Sequence, residues 1–80
     1  MRLNPVLTIK YMVEVFKTNV QLQNEANHLL YVLYNQFPHL RINFDLDDCD
    51  KILRVEGNFI IQQNICQTMQ AEGFQCAILE

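Results

Sequence analysis

Apolar and polar positions alternate at the start of the chain: Tyr11, Val13 and Val15 fall on one side, Met12, Glu14 and Phe16 on the other. A period of two over residues 9–17 predicts a half-buried strand. Pro5 cannot donate to a sheet ladder, so residues 1–8 read as a loose lead-in. The period then changes. Leu22, Ala26, Leu29, Leu30, Leu33 and Phe37 recur at steps of three and four, which makes one apolar stripe along a helix. Asn24, Asn27, His28 and Asn35 lie off that stripe, and Pro38 ends the helix because it has no N–H and disfavours helical geometry before it.

Alternation returns with Leu40, Ile42, Phe44 and Leu46 against Arg41, Asn43 and Asp45, a second strand. Asp47-Asp48-Cys49-Asp50 predicts the turn, and Leu53 and Val55 the inward side of a third strand. Gly57-Asn58 breaks that strand, with Asn58 placed to cap the next helix. Ile61, Ile65 and Met69 form its buried stripe, with Cys66 at the edge, and Gly73 suits the left-handed position after its end. A strand from Phe74 to Leu79 follows. The expected fold is α+β: a ferredoxin-like βαββαβ sandwich, with two helices on one face of a four-stranded antiparallel sheet.

In this architecture the order and spacing of the pieces resemble the heavy-metal-associated domain of copper chaperones and metal-transporting ATPases. The resemblance rests on Pro38 closing the first helix, a strand ending Asp45-Leu46, the Leu53-x-Val55-x-Gly57 strand, and Gly73-Phe74 after the second helix. It covers nearly the whole chain from Val13 onward. It implies a metal site in the turn between the first strand and first helix, where the family has Met-Thr-Cys-x-x-Cys and two thiolates grip Cu(I) or Zn(II). Aligning the motif's threonine with Thr18 puts the cysteines at Asn19 and Leu22; counting back from Pro38 puts them near Leu22 and Glu25. Neither alignment finds a thiol, so no metal ligand carries over and no cofactor is expected.

Eighty residues with half of them hydrophobic suffice for one domain spanning 1–80. Nine acids against six bases give a net charge of −3, which offers no basic footprint for nucleic acid. Lys10 and Glu14 interrupt the apolar start, so neither a signal peptide nor a membrane span is expected. Cys49, Cys66 and Cys76 cannot all pair within one chain, and reduced thiols in the cytoplasm are the simpler account. Cys66 and Cys76 read as core packing, His28 and His39 as surface or rim residues.

No nucleophile–base pair or glycine-rich phosphate cradle is present, so an enzyme is not expected. Acylphosphatases share the sandwich, but their anion loop has no counterpart in the segment FKTNVQ. RNA-recognition domains share it too, but KILRVEG lacks the stacking aromatics they need on the third strand. Two alternatives remain. One is a protein-interaction module, a homodimer or a complex with another protein, using an open sheet face that carries Met12, Phe16, Ile52, Ala77 and Leu79 among Glu14, Arg41, Asn43, Arg54 and Gln75. Its candidate interaction residues are Met12, Phe16, Ile52 and Leu79, with Tyr31 and Tyr34 as a second surface. The other is copper or zinc binding by a non-standard thiol site such as Cys49, which sits among four aspartates.

Overall fold

A computed structural model describes residues 10–79. Within them the order is β1 (Met12–Thr18), α1 (Gln23–Gln36), β2 (Arg41–Asp45), β3 (Ile52–Gly57), α2 (Gln62–Ala71) and β4 (Cys76–Ile78). The strands form one antiparallel sheet in the order β2-β3-β1-β4, the arrangement of a ferredoxin-like sandwich. The lead-in expected over residues 1–8 lies outside the described residues. No helix among those described is long and apolar enough to cross a membrane.

The core lies between the sheet and both helices. Ala26, Leu29 and Leu33 enter it from α1, Ile65 and Met69 from α2. From the sheet come Phe16, Ile42, Leu53, Val55 and Cys76. The stripe of α1 lies where the three-and-four spacing placed it, except at Leu22, which is the exposed N-cap residue. Glu25 Oε1 accepts from the N–H groups of Leu22 at 3.0 Å and Gln21 at 3.2 Å, which answers two donors at the helix start.

Four local expectations need correction. Met12, Glu14 and Phe16 point toward the helices, not toward the open face. Phe16 is fully buried, Met12 packs against the core, and Glu14 accepts from Gln62 Nε2 at the start of α2. Alternation says which residues share a face without saying which face is covered, and both sets of β1 are apolar enough to serve. The largest side chain, Phe16, takes the centre. Second, Ile61 is not on the buried stripe of α2. It is the N-cap residue, outside helical geometry and 47% exposed, so stepping back four from Ile65 fails there and Ile60 is buried instead. Third, Asn58 does not cap α2, because the helix starts beyond its reach and its N-cap has no side-chain hydrogen bond. The last strand is also shorter than expected.

Gly73 lies just past α2 with φ +91°, a left-handed conformation that glycine adopts without steric cost. At Gly57 the reason for glycine is space: a Cβ there would stand 2.5 Å from Leu40 Cδ2.

Candidate functional site

The face of the sheet away from the helices is built in rows, because opposed residues in an antiparallel ladder point the same way. One row is Arg41, Glu56 and Val13; the next is Asn43, Arg54 and Val15. Leu79 extends the second row, since its N–H donates to the Val15 carbonyl at 2.9 Å. Ile52 pairs with Asp45, and Ala77 with Lys17. Ile52 and Leu79 therefore stand on the open face as expected, while Tyr11, Val13, Val15 and Lys17 hold the places assigned to Met12, Glu14 and Phe16. Val13 is 45% exposed and Leu79 39%.

Polar groups flank this apolar centre. Arg54 Nε lies 3.4 Å from Glu56 Oε2, and the Tyr11 hydroxyl donates to Glu56 Oε1 at 3.3 Å. Both contacts are solvated, so each adds little to stability. They tie the charged side chains of β3 to one another beside Val13 and Val15, while Val13 and Leu79 stay exposed and Val15 half-buried. The outward tyrosines of α1 divide: Tyr31 is exposed, while the Tyr34 hydroxyl donates to the Ile42 carbonyl at 3.0 Å and accepts from the Ile42 N–H at 2.9 Å. Tyr34 thus serves the fold.

At one end of the sheet, the turn after β1 and the β2–β3 hairpin tip meet through Thr18. Its N–H donates to the Asp50 carbonyl at 3.0 Å and its Oγ1 to the Lys51 carbonyl at 2.6 Å. The same Oγ1 accepts from the Val20 N–H at 3.2 Å. The positions where the family resemblance would put thiols have other tasks. Asn19 Oδ1 accepts from the Gln75 N–H at 2.8 Å, Leu22 begins α1, and the Glu25 carboxylate answers the helix start. An amide, an aliphatic chain and an engaged carboxylate offer no soft donor pair for Cu(I).

On the tip, Asp48, Cys49 and Asp50 each bring one potential ligand atom, all within 4.8 Å of one another. Asp48 Oδ1 accepts from the Asp50 N–H at 2.8 Å and Asp45 Oδ1 from the Asp47 N–H at 3.2 Å. These are turn-forming bonds that aspartate makes without any ion. His28 Nε2 lies 2.8 Å from Glu72 Oε1, and exposed His39 belongs to the loop after Pro38; neither is near the tip cluster.

The thiols differ sharply in environment. Cys49 is exposed, Cys66 half-buried and Cys76 buried. Burial pushes the Cys76 thiol well above the usual thiol range, and its hydrogen bond to Cys66 with the charge on that group pushes the same way. Since the thiolate is the reactive form, Ellman's reagent is expected to modify Cys49 first in the native protein. Cys76 is expected to react only after denaturant is added. Equal rates for all three thiols in native buffer would contradict this packing.

Compared with known proteins, the chain matches no family model, no curated protein and no solved structure.

Proposed function

We propose that this chain is a non-catalytic domain, resembling the heavy-metal-associated domain in the order of its elements but lacking the thiol pair, that acts by associating with another protein chain. One observation carries the proposal: a sheet face without helices on it, with Val13 and Leu79 exposed on either side of half-buried Val15, on a domain whose turn after β1 is committed to structural hydrogen bonds. Exposed apolar surface rimmed by charge is the composition of an association site. The turn supports the same reading, since Asn19, Leu22 and Glu25 provide no soft sulfur where a metal carrier of this architecture needs two.

Titration of Cu(I) and Zn(II) against a competing chelator tests the proposal, together with solution mass and capture on the immobilised chain. No stoichiometric metal binding is expected, with a mass that rises with concentration or a retained protein chain. Metal affinity that disappears in Cys49→Ser would favour metal handling at the hairpin tip and overturn the association reading. A strict monomer that also retains no other chain would overturn it too.

A further inference from the structure

The two edges of the sheet are finished differently. On β2, the outward main-chain groups of Ile42 are both taken by the Tyr34 hydroxyl, and the Leu40 N–H goes to the Phe37 carbonyl at 3.1 Å. On β4 no such cover is present among the described residues. The Leu79 N–H bonds the Val15 carbonyl, so the hydrogen-bonded pairs of this ladder are Val15 with Leu79 and Lys17 with Ala77. Bonded and non-bonded pairs alternate, which turns the N–H and C=O of Cys76 and Ile78 outward. From Cys76 to Leu79 there is no charge and no proline, the usual devices that keep an edge from pairing.

We propose that β4 pairs antiparallel with β4 of a second copy of this chain, Ala77 lying on the two-fold axis. In this register Cys76 of each copy faces Ile78 of the other, and the outward main-chain groups of both satisfy one another. The strand is self-complementary, as an isologous contact requires. Ala77, the smallest side chain of the strand, occupies the axis on the open face. On the helix side, Ile78 is 44% exposed, and a hollow lined by Gln70, Gly73, Phe74 and Cys76 lies beside its opposite number. Each Ile78 covers the other copy's hollow. The two sheets become one, and the row of Lys17 and Ala77 continues across the seam into the same row of the second copy. This inference rests on the association reading only in that the chain pairs with another chain; it places the contact between copies on the β4 edge and leaves the open face around Val13 outside it.

Sedimentation of the whole chain over a range of concentrations is the test, with Ile78→Pro, Ile78→Lys and Val13→Asp compared. Ile78→Pro removes an outward N–H but none of the bonds between β1 and β4. Ile78→Lys places a charge at the seam and retains the fold if the proline does not. The wild type is expected to reach the dimer mass, both Ile78 variants to stay at the monomer mass with native circular dichroism, and Val13→Asp, away from β4, to remain dimeric. In the wild type, the Cys76 and Ile78 amides should exchange more slowly in concentrated than in dilute solution. A dimer that survives in folded Ile78→Lys, or exchange at those amides independent of concentration, overturns the proposal. If Val13→Asp abolishes a dimer that Ile78→Lys keeps, the edge is wrong while association through the open face stands. A wild type that is monomeric at every concentration overturns the second copy as partner.

Discussion

Phe16→Ala is expected to destabilise the domain by about 3–5 kcal/mol, the range for removing a buried aromatic ring and leaving a cavity behind. Phe16 is fully buried at the middle of the core, among residues from both helices and from β3. Domains generally hold only about 5–15 kcal/mol of net stability, and small ones sit toward the lower end, so this loss should leave a substantial unfolded population. Val13→Ala, one strand position parity away and on the open face, is the control and should shift the midpoint far less. Urea melts of both variants check the prediction. A Phe16→Ala midpoint close to that of Val13→Ala would mean that β1 is turned the other way.

Thr18→Val should cost about 1–3 kcal/mol, although valine keeps the shape and volume of threonine. The hydroxyl it removes serves the Lys51 carbonyl and the Val20 N–H at once, and an unanswered buried polar group carries a penalty of this order. The Val20 group is fully enclosed and contributes most of the loss; the Lys51 carbonyl keeps partial access to water. Thr18→Ser retains the hydroxyl and should recover most of the stability, which separates hydrogen bonding from packing. Amide exchange at Val20, whose N–H donates to the Thr18 hydroxyl, should accelerate in the valine variant and remain near native in the serine variant. If serine is as damaging as valine, the hydroxyl is not what matters.

The element order could be read from the sequence because each segment carries one unambiguous period, from Ala26-Leu29-Leu33 on α1 to Ile42-Phe44 on β2. The facing of β1 could not. A strand with apolar residues on both sides gives the period and conceals the polarity, and Glu14, which looks like a solvent marker, is answered across the core boundary by Gln62. The start of α2 was obscured for a related reason: Ile60 and Ile61 are equally apolar, and only the backbone leaving β3 at Gly57 decides which of them turns inward. Of the open face, Ile52 and Leu79 were legible, because Leu53 and Val55 fix the parity of β3 and Cys76 that of β4. The role of Thr18 was not legible, since it joins residues far apart in sequence through one hydroxyl.

Neither helix holds itself at its start. Leu22 and Ile61 are the N-cap residues, and neither supplies the side-chain oxygen that ordinarily quenches the first free amides. α1 is partly compensated by Glu25, while α2, ten residues long, has no acidic residue in its first turn. Helices this short are marginal in water by themselves. Their persistence therefore depends on the apolar sheet beneath them, and among the described residues the sheet in turn has no other cover for Phe16, Leu53 and Val55. Secondary structure and packing are therefore expected to be lost together on heating, in one transition that leaves no helical remnant.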